Sequence, residues 1–201
     1  MNTVTPIASL SETLSSYMVD KDADSDVLAG LETISQSSRG LIKFVESYRN
    51  LTRVAAPVKK AFYVREMIDR VIQLTAQQTS EAGAVCTYLE KSDDILLYAD
   101  ESQISQILIN LIRNACQAGA NKVEITAELD RSDSVFIHVT NNGRPISKES
   151  REEIFVPFYT TKQEGTGIGL SLSRQIMRLH NGTLTLTRSD ESGTVFTLYF
   201  K

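Results

Sequence analysis

The chain has 201 residues, 41% hydrophobic and 23% charged, with 21 Lys and Arg against 25 Asp and Glu and a formal net charge of −4. That mixture is of a globular and not a disordered chain. It lacks the basic excess that neutralising nucleic-acid phosphates demands, so no nucleic-acid partner is expected. No apolar run approaches the ~18 residues of a membrane span, and the N-terminus lacks a signal-peptide pattern. The expected location is cytoplasmic, for a free protein or for the cytoplasmic part of a membrane-anchored parent. Cys86 and Cys116, the two cysteines, form neither a metal quartet nor a disulfide framework and read as reduced core thiols.

The N-terminal quarter carries two helical stripes. Val4, Ile7, Leu10, Leu14 and Tyr17 recur at steps of three and four. The acidic stretch 20–26 suits a connection and supplies Asp or Ser for an N-cap. Val27, Leu31, Ile34, Ser38, Leu41, Val45, Tyr48 and Thr52 then hold a near-heptad seam. A helix from Asp26 to Thr52 would extend roughly 40 Å at ~1.5 Å per residue. Two helices cannot bury such seams alone, so a homodimer through the hairpin, as a four-helix bundle, is expected. The alternative is a hairpin packed on its own globular domain. Pro57 makes a continuing helix costly, which places a hairpin domain at 1–56 and a second domain at 57–201.

The second domain mixes both periods. A helix is expected over 64–78 on Met67, Val71 and Leu74, then strands at 84–89 and 95–98, and a helix from about Glu101 to Ala118. Strands 122–129 and 134–140 flank a turn at 131–133; a helix over 170–179 and strands 183–187 and 194–200 complete the chain. The fold class is α+β: a helical hairpin followed by an α/β sandwich, with a mixed sheet carrying helices on one face.

Asn110 and Asn114 lie four apart on the 101–118 helix, on a face other than the stripe of Ile104, Leu108, Leu111 and Ala115. Asn is a mediocre helix former, so the pair suggests a polar task; a carboxamide oxygen is a hard ligand that Mg²⁺ accepts, alongside waters and phosphates. A solvated or hydrogen-bonded structural pair is the other reading. Downstream, a strand end runs into Asn141-Asn-Gly143-Arg-Pro145-Ile146, then Phe155-Val-Pro-Phe158-Tyr-Thr-Thr161-Lys162, then Gly165-Thr166-Gly167-Ile-Gly169-Leu170. A Gly-rich turn feeding a helix exposes N–H groups where phosphate is favoured and lets the backbone approach an anion.

These elements, in this order, resemble the ATP-binding domain of sensor histidine kinases within the wider GHKL group of ATPases. Residues 110–118 resemble the family's asparagine box, 141–146 its first glycine box, 155–162 its phenylalanine box and 165–170 its second glycine box. Ser192-Gly193-Thr194 resembles the terminal Gly-Thr element. The resemblance implies an ATP or ADP site with Mg²⁺ held by Asn114. Its other residues would be Asn110, Asn141, Gly143, Thr161, Lys162, Gly165, Thr166, Gly167, Gly169, Leu170 and Thr194. It also implies a mobile lid over 142–168 anchored by Phe155 and Phe158. The N-terminal hairpin looks like the family's dimerisation and phosphotransfer domain, whose partner is the receiver domain of a response regulator. The opening Met1-Asn2-Thr3-Val4-Thr5-Pro6 resembles the tail of the family's His-Glu-x-x-Asn-type motif with its histidine cut away. By that alignment Asn2 has a phosphatase-type role, orienting water; a plain helix N-cap is the alternative. His138 and His180 belong to the nucleotide domain, so this chain is not expected to phosphorylate itself on histidine.

Two positions depart from the family pattern. Asn141 stands where an Asp usually accepts from the adenine amine. Losing that charge assistance costs roughly 1 kcal/mol, a factor of about 5 in affinity. Pro145 replaces the usual third Gly, and its fixed φ excludes a left-handed turn. Three functions compete: a two-component kinase core relaying phosphate from ATP through histidine, a GHKL ATPase, and a dimeric scaffold with a vestigial site. The hydrolases carry Glu four residues before the metal-binding Asn; here Asn110 cannot accept a proton, which disfavours directed hydrolysis.

Overall fold

The computed structural model describes residues 4–19, 25–52, 54–92, 94–162 and 165–201. The chain forms two compact units, Met1–Arg53 and Val54–Lys201. In the first, α1 (Val4–Val19) packs on α2 (Ser25–Thr52); Asn2 and the connection at 20–24 lie outside the described residues. The buried faces are small: Ala8 and Ser11 on α1, Ser35 and Ser38 on α2. Glu12 joins the helices, accepting from Ser35 Oγ at 3.3 Å and from Arg39 Nη2 at 2.7 Å. Small contact residues turn the larger ones outward, so Ile7, Leu10, Leu14, Ile34, Leu41 and Val45 remain 40–61% exposed. Among the described residues no helix is long and apolar enough to cross a membrane.

The second unit contains β1 (Lys60–Tyr63), α3 (Val64–Glu81), β2 (Val85–Glu90), β3 (Leu96–Ala99), α4 (Glu101–Gln117), β4 (Lys122–Leu129) and β5 (Val135–Asn141). A short 3-10 turn (Glu149–Arg151), α5 (Gly169–Leu179), β6 (Thr183–Asp190) and β7 (Gly193–Phe200) follow. The main sheet has the order β2-β4-β5-β7-β6, with β2 parallel to β4 and the other pairs antiparallel. One core fills the space between this sheet and α3, α4 and α5, built on Met67, Ile68, Ile104, Leu108, Ile125, Ile137 and Met177. The expected α+β sandwich is the observed one.

Two features differ from the sequence expectation. The strand near 95–98 does not join the main sheet; β3 pairs antiparallel with β1, from Lys60↔Ala99 to Tyr63↔Leu96, in a separate two-stranded ribbon. Leu74, expected on the buried stripe of α3, is 73% exposed. The buried face instead runs Val64, Met67, Ile68, Val71, Thr75 and Thr79. Thr75 and Thr79 satisfy their hydroxyls on the carbonyls of Val71 and Thr75, at 2.8 and 3.1 Å, which lets a polar residue sit where Leu was expected.

Local chemistry fixes the ends of the helices that shape the site. Asp100 caps α4, its Oδ1 accepting from the N–H groups of Ser102 and Gln103. Its Oδ2 accepts from Val58 N–H at 2.8 Å. α5 ends in a Schellman arrangement: Asn181 has φ 57°, its N–H donates to Arg178 O, and Gly182 N–H donates to Met177 O. His180, the C-cap, joins the two helix ends. Asp100 N–H donates to His180 Nε2 at 3.0 Å, so Nδ1 carries the proton and donates to Ile176 O at 2.9 Å.

Candidate functional site

The asparagine pair and the glycine turn, far apart in sequence, meet in space. The alternation of β5 puts Val135, Ile137, Val139 and Asn141 on the helix-facing side, so Asn141 sits at the strand end, 6% exposed, opposite Thr194 in the register. Asn141 Oδ1 accepts from Gly143 N–H at 3.0 Å. A Cβ on Gly143 would stand 2.9 Å from Ala118 Cβ, and one on Gly193, whose φ is +125°, 2.4 Å from Asn141 O. Thr194 Oγ1 pairs with Ser189 Oγ at 2.7 Å, and Ser189 Oγ accepts from Ile146 N–H at 2.8 Å. The Asn141 amide and the Thr194 hydroxyl therefore share one small polar cluster at the edge of the core.

The second glycine turn packs directly on α4. A Cβ on Gly169 would lie 2.3 Å from Asn110 Oδ1, and Asn110 Nδ2 donates to Ser173 Oγ at 3.1 Å. Gly167 (φ +66°) lies so close to Phe158 that a Cβ would meet the Phe158 carbonyl carbon at 2.4 Å. Phe158 itself has φ +68°, a strained state for a bulky residue, and its N–H donates to Gly167 O at 3.0 Å. Phe155 lies edge-on to Phe196, centroids 6.4 Å apart, beneath the Arg174 guanidinium at 4.8 Å. Of the two expected anchors, Phe155 packs against the core, whereas Phe158 is 37% exposed, with its backbone N–H bonded to Gly167 O.

Asn114 does not point to empty solvent. Its Oδ1 accepts from Lys162 Nζ at 2.8 Å, and Gln117 Oε1 accepts from the same nitrogen at 2.6 Å. Although Lys162 is exposed as a residue, its tip is folded inward, and that burial, with the positive Arg113 beside it, lowers the ammonium below the usual lysine range. An oxygen that accepts from an ammonium is already oriented toward a cation, so the donor set fits a hard divalent metal such as Mg²⁺. Gly165 abuts Thr160, where a Cβ would meet Oγ1 at 2.4 Å. Thr161 and Thr166 are exposed, and Leu170 packs against the core.

The structure therefore brings Asn110, Gly169 and Ser173 together, Asn114 with Lys162, and Asn141 with Gly143 and Thr194. Gln117 and Ser173 were missed in the sequence. Gln117 was findable, since it lies one helical turn after Asn114; Ser173 acquires its role only once α5 docks on α4. No other described chemistry competes. Among the described residues no group of three or more His, Cys, Asp or Glu could hold a metal. Burial and, secondarily, Cys116 push the Cys86 thiol up to about 11, which removes it as a nucleophile. His138 is on the central strand β5, bonded to Thr197 Oγ1 at 2.9 Å and Glu128 Oε1 at 3.2 Å. A recess of about 180 Å³ lined by Tyr63, Arg65, Glu66, Glu90, Asp94 and Ile95 shares no residue with the Asn and Gly set.

Residues 99–201 match the family described as histidine kinase-, DNA gyrase B-, and HSP90-like ATPase. The sensor histidine kinase ZraS of Salmonella typhi is 28% identical over 170 residues, which is 84% of this chain and 37% of that protein. The chain thus spans little more than a third of that curated relative. The catalytic domain of histidine kinase ThkA superposes with a TM-score of 0.64 at 35% identity, over 71% of this chain and 94% of that one. ThkA in complex with the response regulator protein TrrA superposes with a TM-score of 0.69 at 27% identity, over 98% of this chain and 59% of that one.

Proposed function

Because the chain belongs to the histidine kinase-, DNA gyrase B- and HSP90-like ATPase family, and within it to the histidine kinase catalytic cores, we propose that it is the catalytic core of a two-component sensor kinase. It would bind Mg-ATP, transfer phosphate to a histidine on a dimeric helical hairpin, and pass it to the receiver domain of a response regulator. The observation that carries this reading is the convergence of α4 with the second glycine turn. Asn110 lies under Gly169, and the Asn114 oxygen already faces a cation.

In this reading the adenine lies against Asn141 and Thr194. The Asn141 carbonyl accepts from the amine while retaining Gly143 N–H, since a carboxamide oxygen has two lone pairs. The 165–170 turn and the N-terminus of α5 receive the phosphates, where unpaired N–H groups favour anions. Asn110, held by Ser173, keeps a donor and an acceptor beside them, and Thr161, Lys162, Thr166 and Leu170 shape the covering segment. Asn114 would hold Mg²⁺, which when bound neutralises charge on the transferring phosphoryl group. Asn110 cannot act as a base toward water, which favours transfer over hydrolysis. The exposed apolar residues of α1 and α2 form the dimer seam, and Asn2 retains the proposed phosphatase-type role.

Phosphoryl transfer is largely a matter of bringing an acceptor into line. Both histidines of this chain are committed: His138 inside the sheet and His180 between two helix ends. This chain by itself should therefore bind nucleotide with a strong Mg²⁺ dependence and take up no acid-labile label from ATP labelled at the γ-phosphate. A hairpin peptide bearing a histidine motif, added in trans, should take it up. Calorimetric titration with and without Mg²⁺ and an acid-stability assay test this. Nucleotide binding indifferent to Mg²⁺, label on His138 or His180, or steady phosphate release would each refute it.

A further inference from the structure

We infer that Lys162 is a resident cation in the metal's place, tying the Phe155–Lys162 segment to α4 through Asn114 and Gln117 until metal-bound nucleotide displaces it. This rests on the nucleotide reading above and adds to it a positioning role for Gln117, which lies outside the set implied by the resemblance. The geometry is specific. Two carboxamide oxygens, from residues three apart on one face of α4, converge on a single ammonium at 2.8 and 2.6 Å. No carboxylate takes part in either contact. Neutral oxygens of this kind serve an ammonium and a hard divalent cation alike, and the bond they make to Lys162 is one a doubly charged ion can replace.

The two cations exclude one another. Asn114 Oδ1 cannot be shared by an ammonium and a metal without bringing like charges together, and Arg113 already adds positive charge at this end of α4. Metal arriving on Asn114 therefore frees Lys162, and the freed ammonium has the phosphates as its nearest new counter-charge in the proposed site. The remainder of the segment has its own supports: Phe155 on Phe196, Tyr159 Oη donating to Ser150 Oγ at 2.7 Å, and Phe158 N–H on Gly167 O. Releasing Lys162 thus detaches the segment's end from α4 without unfolding it. Metal loading and the position of the covering segment become one event.

Gln117→Ala tests this with the lysine left in place, and Lys162→Met removes the ammonium itself. Both residues lie at the surface and neither belongs to the core, so folded protein is expected and a thermal melt checks it. In metal-free protein with EDTA, hydrogen exchange over 155–162 should speed up about fivefold in Gln117→Ala, the loss of one charge-assisted bond at a partly solvated site, and more than that in Lys162→Met, which loses both bonds. With saturating Mg²⁺ and ADP, wild type and Gln117→Ala should exchange alike. The Mg²⁺ concentration giving half-maximal nucleotide binding should fall about fivefold in Gln117→Ala, because its competitor is held less firmly. Unchanged exchange in both metal-free variants would overturn the tie to α4; an unchanged Mg²⁺ midpoint in Gln117→Ala would overturn the competition. Nucleotide binding by wild type without any Mg²⁺ dependence would instead bring down the underlying metal reading, an outcome the metal-free exchange distinguishes.

Discussion

Gly169→Ala should separate folding from nucleotide binding. The new Cβ would stand 2.3 Å from Asn110 Oδ1 and 3.0 Å from Nδ2, whereas ordinary contact begins near 3.4 Å. The nearest atoms are the tip of a side chain, so the Asn110 carboxamide withdraws by about 1 Å and its 3.1 Å bond to Ser173 Oγ is lost, which costs about 1 kcal/mol. Alanine at a helical position recovers up to about 1 kcal/mol relative to glycine. Net stability should therefore stay within about 1 kcal/mol of wild type, a shift of no more than a few degrees in Tm for a domain of this size. Affinity has no such compensation. If Asn110 bonds to a charged nucleotide group, its displacement removes about 1.5–3 kcal/mol, or roughly 10- to 150-fold in Kd. Thermal melts and calorimetric titration with Mg-ADP measure the two quantities on the same samples. Affinity within threefold of wild type would refute the placement of Asn110 in the site. A stability loss well above 2 kcal/mol would show that α5, not the side chain, had moved.

Asn141→Asp should tighten Mg-nucleotide about fivefold, because one carboxylate oxygen keeps Gly143 N–H while the other meets the adenine amine with charge assistance; unchanged or weaker binding by calorimetry would mean the site has adapted to Asn. Asp100→Ala should lower stability at neutral pH by about 1 kcal/mol through loss of the α4 cap. Burial raises the Asp100 pKa, but the Ser102 hydroxyl and the N–H groups of Val58, Gln103 and Ser102 outweigh it and hold the carboxyl below its ordinary value. A depressed folded pKa means this stabilisation is complete above an unfolded pKa of about 4 and is lost as pH falls through the lower folded value. The gap between wild type and Asp100→Ala in thermal melts should therefore close in acid, and a gap that widened there would contradict the assignment. Replacing Leu41 and Val45 by Glu should turn a dimer into monomer by light scattering, since each charge would otherwise be buried in the seam; a wild type that is monomeric at every concentration would remove the four-helix reading.

The helices, and strands 122–129 and 194–200, were legible because their signals are local. A stripe at steps of three and four, or an alternation of two, is written by neighbours and survives any tertiary arrangement. The order of the asparagine, glycine and phenylalanine motifs was likewise visible in the chain. What tertiary structure alone decided is where long-range packing overrode or supplemented that code. The four-residue β1 is too short for a period to show, so its capture of β3, which removes β3 from the main sheet, could not be read in advance. Leu74 lost the buried face of α3 to Thr75 because the wall of α4 and β2 sets which side of the helix is covered, and two threonines could satisfy their hydroxyls there. Lys162 was readable as a member of the covering segment. Its position on Asn114 and Gln117, 48 and 45 residues away, was not. Nor was the bond that sets His180 between α4 and α5, 80 residues from Asp100. Such contacts carry no periodic trace: the side chains involved are polar and unremarkable in their own segments, and they meet only after burial of the shared core has fixed the helix ends and the glycine turn against one another.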